Sequence, residues 1–168
     1  AYSKYYGFSY TSYYSSAFAV NFIYDTRDNM INPTKGYYVL VNWRGSRKFL
    51  GNKNNANFYN VEYRSFHALS KKDPRHIIAF WVMGNFAPEG EFPYMILPAT
   101  AYDQRSRSGR GYTQGRFRGN NLLYGEAEYR FPISPCGGVL GGVLFVNATT
   151  ATNPILSQKL LQSVNPGY

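Results

Sequence analysis

Residues 106–131 read SRSGRGYTQGRFRGNNLLYGEAEYRF, a Gly/Arg-rich loop that runs directly into an alternating strand. Alternation puts Tyr124, Glu126, Glu128 and Arg130 on one face and Leu123, Gly125, Ala127, Tyr129 and Phe131 on the other. A soluble sheet alternates too, so the pattern alone decides little. What decides the reading is a charged face beside a rim of aromatic residues, with an arginine loop next to it. That combination fits an all-β fold, an antiparallel transmembrane β-barrel with a polar lumen and an outside that meets lipid.

The flanking sequence repeats the pattern. In Ala17–Asp25, Phe18, Val20, Phe22 and Tyr24 oppose Ala19, Asn21 and Asp25. Residues 28–36 (DNMINPTKG) carry the Asn, Pro and Gly of a tight turn. Residues 37–45 form a second strand, with Tyr37, Val39, Val41 and Trp43 opposed to Asn42 and Arg44. Residues 57–69 form a third, with Asn60, Glu62 and Arg64 opposed to Tyr59, Val61 and Tyr63. A turn at 71–75 leads to a fourth strand, 76–86, apolar on both faces. A long loop is expected over about residues 87–120, then strands at 121–133 and 139–150 around a turn at 134–138. Residues 1–15 read as an exposed loop, 155–164 as one or two helical turns, and 165–168 as the entry to another strand. Short turns alternating with longer loops are the pattern of outer-membrane barrels.

Composition is compatible with this. No apolar run approaches the ~20 residues a spanning helix needs, whereas a barrel strand spans with ~9–11, half of them polar. Aromatic residues make up 18% of the 168-residue chain, with 17 Tyr and 12 Phe, too many for disorder. Tyrosine joins an apolar ring to a polar hydroxyl and suits a membrane–water boundary or an exposed sheet. Net charge is +9, which points equally to nucleic acid or to an anionic surface such as lipopolysaccharide. Ala1 leads no signal peptide, so a targeting segment is expected to be removed or to lie outside this stretch. About six strands fall short of the ~8 that close a spanning barrel, which leaves a segment of a larger barrel, pairing with other chains, or a protein outside the membrane. The Pro-Gly-Tyr end favours the first.

Chemistry-bearing motifs are few. Cys136 lies in a Pro-Cys-Gly-Gly turn with no partner for a disulfide, metal or redox motif. His67 and His76 are read as boundary residues, with no metal-spaced cluster around them. No GxSxG, P-loop or catalytic carboxylate pair occurs, so neither an enzyme nor a cofactor is expected. Arg105, Arg107, Arg110, Arg116 and Arg118, interleaved with Tyr112 and Phe117, could contact single-stranded RNA. Glu126 and Glu128 on the next strand would repel its phosphates, so no nucleic acid partner is expected.

Three stretches resemble the BamA/TamA superfamily of outer-membrane barrels, the bacterial surface antigen family. Tyr24-Asp-Thr-Arg-Asp-Asn29 with Asn32-Pro-Thr-Lys-Gly36 resembles the family's mid-barrel periplasmic turn, with Asp25, Arg27, Asp28, Pro33 and Gly36 as its residues. Ile96-Leu-Pro98 through Arg110-Gly-Tyr112 and Gly115-Arg-Phe-Arg118 resembles the inward-folded sixth extracellular loop. Glu126-Ala-Glu-Tyr-Arg-Phe-Pro132 is similar to the strand after that loop. Their order matches the eighth to thirteenth strands of a sixteen-stranded barrel, covering nearly the whole chain as one partial barrel domain. The resemblance implies that Arg110, flanked by Gly109 and Gly111, reaches into the lumen and pairs with Glu128. Tyr112 would pack against the wall. A second acidic partner is implied on the next strand, where this sequence carries Asn147, an acceptor without charge. A simple wall pair between Arg110 and Glu128 in a watery lumen remains the alternative to a latch.

The implied function is assembly or insertion of outer-membrane proteins, or polypeptide translocation, in the outer membrane of a Gram-negative bacterium or related organelle. The implied partners are outer-membrane lipid and lipopolysaccharide, unfolded outer-membrane proteins and accessory lipoproteins. Two other readings stand beside it: a barrel anchor or passive pore of the same family, and a soluble basic β-domain binding RNA or polysaccharide.

Overall fold

The computed structural model describes residues 14–71, 73–90, 92–103, 107–134, 140–152, 159 and 165–167. Its strands are β1 (Ala17–Asp25), β2 (Gly36–Ser46), β3 (Ala56–Ala68), β4 (Ile77–Glu89), β5 (Asn121–Pro132), β6 (Gly141–Ala151) and a short β7 (Asn165–Gly167). They form one seven-stranded sheet in sequence order, antiparallel throughout. Beyond the six full strands, the short β7 falls where residues 165–168 read as the entry to another strand. The first six strands have 9–13 residues, enough for a tilted strand to cross a bilayer. No described helix is long and apolar enough to cross a membrane. The expectations for residues 1–13, the turn around Cys136, Arg105 and the helical turns over 155–164 fall wholly or mainly outside the described residues.

The period of two sorts each strand onto two faces. The outer face carries Phe18, Val20, Phe22 and Tyr24 of β1, Val41 of β2, Tyr59, Val61 and Tyr63 of β3, Phe80 and Val82 of β4, and Leu144 and Val146 of β6, all exposed. Register aligns Phe22 with Val41, Val41 with Val61, Tyr63 with Val82, and Ala127 with Val146, giving a continuous apolar band. Towards the short-turn ends, Tyr37 meets Tyr63 and His67, and His67 meets Phe80, over the buried Ser65. There too, His76 stacks on Tyr129 and Tyr129 on Phe131. Among the described residues no second layer covers this band. A band with aromatic rims is what lipid contact requires.

The inner face is where the burial lies. Trp81, Met83, Leu122 and Tyr124 form one buried cluster, and Phe66, Ile77 and Ala79 another. The β4–β5 loop supplies the third, with Phe92 and Leu97 packed on Ala56, Ala87, Phe58 and Ile96. This explains why β4 is apolar on both faces: lipid-facing residues alternate with residues covered by the loop. Strand β4 also runs three residues beyond Phe86, because an irregularity between Asn57 and Tyr59 lets Asn57 pair with Glu89. The loop is not a featureless connection. It contains a 3₁₀ turn at Tyr94–Ile96 and a hairpin pinned by an Ala99–Arg118 bridge.

The β1–β2 turn is built by its own side chains. Asp28 accepts from the Thr34 amide (2.9 Å) and hydroxyl (2.5 Å), and Asn29 accepts from the Ile31 and Asn32 amides. Arg27 grips Asp25, and Pro33 is buried. Gly36 has φ +107°, and a Cβ there would strike the Thr26 carbonyl and lie 2.8 Å from Arg27 Cα. The Thr34 hydroxyl bond, with help from the Thr34 and Lys35 amides, holds the Asp28 carboxyl down at about 2. Because this pKa is depressed in the folded state, the stabilisation is complete above ~4, the unfolded carboxylate value, and is lost as pH falls through about 2. Protection of the Thr34 and Lys35 amides, measured against the intrinsic exchange rate at each pH, is therefore expected to fall between those limits. In an Asp28→Ala variant that protection should be lost at every pH.

Candidate functional site

The site begins with two consecutive turns in the loop. Gly109-Arg-Gly-Tyr112 closes with the Tyr112 amide on the Gly109 carbonyl (3.0 Å), and Thr113-Gln-Gly-Arg116 with Arg116 on Thr113 (3.0 Å). Each has glycine at its third position with positive φ, +89° at Gly111 and +75° at Gly115, the sign demanded there by a type II turn. Asp103 holds the approach, accepting from the Arg107 and Ser108 amides and the Ser108 hydroxyl. Arg110 therefore projects from the corner of a fixed turn.

The wall beneath is set by register. Across the inner face, Trp81, Glu126 and Asn147 lie in one row, and Ala79, Glu128 and Phe145 in the next. The small Ala79 leaves room beside Glu128. Arg110 Nη2 reaches Glu128 Oε2 at 2.5 Å and Glu126 Oε1 at 3.3 Å. Glu128 Oε1 is taken by Arg130, and Glu126 Oε2 accepts from the Tyr124 hydroxyl at 2.6 Å. The guanidinium of Arg110 lies 4.9 Å from the Phe145 ring centroid, a cation–π contact.

All four carboxylate oxygens thus have a donor, although the two glutamate side chains are only 4–5% exposed. That matters because an unpaired buried charge costs several kcal/mol, whereas a fully partnered cluster recovers much of that penalty. The contact is a bridge from one nitrogen to two carboxylates rather than a two-pronged fork on Glu128. Asn147 plays another part than the one implied by its position. Its side-chain amide donates to the Arg110 carbonyl (3.3 Å), fixing the turn's backbone rather than accepting from the guanidinium. The second carboxylate comes from Glu126 on the same strand as Glu128. Tyr112 sets its ring edge-on to Phe117 of its own loop.

The cluster continues to the opposite end of the strands. Arg130 Nη1 donates to Asn32 Oδ1 in the β1–β2 turn at 3.2 Å. Asn32, Arg130, Glu128 and Arg110 form an unbroken polar chain from the short-turn mouth to the loop. Of the expected turn residues, Asp25, Arg27, Asp28, Pro33 and Gly36 shape this turn, while Asn32 makes the long-range contact. The loop has an independent brace as well. Arg118 lies 4.8 Å from the rings of both Tyr94 and Tyr102, and donates to the Tyr94 carbonyl and the Tyr102 hydroxyl. Among the described residues no group of acidic, histidine or cysteine side chains could hold a metal ion.

Beside the loop lies a cavity of about 720 Å³, walled by Asn21, Tyr38, Asn42, Asn60 and Glu62 of the inner face and capped by Leu97 and Tyr102. It shows the loop occupying one side of the inner space and leaving the β1–β3 side open.

Compared with known protein families, residues 3–159 match the Omp85 superfamily domain. No curated protein and no solved structure gave a match. The chain belongs to the Omp85 superfamily, whose members are outer-membrane proteins of Gram-negative bacteria or organelles, associated in general with outer-membrane protein assembly and translocation.

Proposed function

We propose that this chain forms the wall and lumen loop of an outer-membrane barrel that assists insertion of other outer-membrane proteins or moves polypeptide across that membrane. The observation that carries the reading is the pairing of two features on one sheet. One face presents an uncovered apolar band with aromatic rims, and the other holds a long loop pinned by Arg110 to Glu126 and Glu128. Among the described residues the outer edges of β1 and β7 have no partner strand, and a barrel in hydrocarbon would pair them, since an unpaired edge there costs several kcal/mol per group. The pinned loop braces the inner wall, and unfolded outer-membrane proteins are the clients. Accessory lipoproteins are further partners. The role is one of binding and scaffolding, with no bond chemistry. Nucleic acid binding is disfavoured, because Arg110 and Arg118 are already engaged by partners within the protein.

Reconstitution tests the reading. Full-length protein in lipid vesicles should accelerate folding of an added unfolded outer-membrane protein, read as a heat-modifiable gel band, relative to empty vesicles. Absence of acceleration with steady ion conductance would replace it by a passive pore. Absence of both would leave an anchor.

A further inference from the structure

The β2–β3 loop stands at the long-loop mouth and leans outward over the apolar band. Its residues 47–55 read RKFLGNKNN, with Arg47, Lys48 and Lys53 and no carboxylate. Arg47 lies 5.8 Å from the ring of Trp43, an outer-face residue, and donates to the Ser46 and Ala56 carbonyls and to Asn57. Phe49 is 77% exposed and meets Phe18, another outer-face ring, at 6.3 Å. The loop is held there: buried Asn52 exchanges hydrogen bonds with the Ser16 backbone and donates to the Arg47 carbonyl. Beside it lies an open recess of about 330 Å³ lined by Lys48, Asn54, Asn55 and Gly90.

A loop pinned in this way, with exposed Lys48 and Lys53 in the same turn as the outward-facing Phe49, matches an amphiphile with an anionic head and hydrocarbon tails. We propose that this rim binds lipopolysaccharide through its lipid A, with the phosphates on Lys48, Lys53 and the amides of the recess, and acyl chains against Phe49, Phe18 and Trp43. This rests on the outer-membrane reading above. The choice of lipid A over a phospholipid follows from position: the long-loop mouth of an outer-membrane barrel faces the cell exterior, where that leaflet is built of lipopolysaccharide.

Full-length protein is folded into phosphatidylcholine vesicles containing bisphosphoryl lipid A, dephosphorylated lipid A or phosphatidylglycerol. Retained lipid is then measured by mass spectrometry after mild detergent extraction. The protein should keep bisphosphoryl lipid A in preference to the other two. Lys48→Gln with Lys53→Gln should reduce retention by about fivefold per charge removed, the worth of one cation near an anionic surface. Phe49→Ser should weaken retention of every acylated lipid. Lys35→Gln with Lys71→Gln, the same charge loss at the opposite mouth, should leave retention unchanged. Equal retention by the Lys48/Lys53 variant, or equal retention of phosphatidylglycerol, would overturn the rim site. Failure to fold into any vesicle would instead overturn the membrane reading itself.

Discussion

Replacing Glu128 by alanine is expected to produce the largest loss of stability of any single change on the inner wall. Its two oxygens are the shared partner of Arg110 and Arg130. Removing them leaves Arg110 with the longer contact to Glu126 and the Phe145 ring, and Arg130 with Asn32 and the Phe66 ring. Breaking a buried pair in this way costs about 3–5 kcal/mol. Glu128→Gln, which keeps the shape, should recover only part of it, showing that charge rather than packing is lost. Glu126→Ala should cost less, since only one of its partners is charged, a guanidinium at 3.3 Å, the others being the Tyr124 hydroxyl and the Asn147 amide. The measurement is a denaturant titration of the folded protein in vesicles, with protease cleavage of the loop as a second readout. Paired with Arg110→Ala, the cycle should show a coupling of about 1–3 kcal/mol, the range for groups in direct contact. Strictly additive losses would reduce the contact to an ordinary wall pair.

The same cluster shows how far the sequence alone could be read. Alternation fixes which side chains of β5 and β6 share a face, so Glu126, Glu128, Phe145 and Asn147 were all legible as inner-face residues. Which atoms meet was not legible, because that depends on register across β4, β5 and β6 and on the angle at which the turn enters. Hence the resemblance implies Asn147 as an acceptor for Arg110, whereas its amide donates to the Arg110 carbonyl. Arg130 lies 98 residues from Asn32 in sequence, and no local pattern announces that contact. Arg118 illustrates the converse error. Within a Gly/Arg/aromatic run it reads as a possible RNA contact, yet two tyrosine rings and a carbonyl already surround it. The hairpin inside the loop was hidden for a similar reason. Leu97, Ala99 and Ala101 are buried, but their spacing gives no run long enough to stand out from the surrounding turns.

Adjacent residues on β2 offer the sharpest test of the barrel. Val41 faces outward, is 38% exposed and pairs in register with Phe22 and Val61 at the middle of the apolar band. Leu40 faces inward and lines the 720 Å³ cavity. If the outer face met water, Val41→Arg would be a surface substitution, within about 0.5 kcal/mol of neutral. Against hydrocarbon near the bilayer midplane an arginine costs about 2–4 kcal/mol. Leu40→Arg, at the same depth, places its charge in a roomy polar space with Glu62 nearby and should cost far less. The expected result is therefore an asymmetry: unfolding in vesicles shifts strongly for the residue with more exposed surface and weakly for its half-buried neighbour. Ordinary burial logic predicts the reverse order. Only a sheet whose solvent changes from oil to water between its two faces gives this one, and equal costs at the two positions would show that it does not.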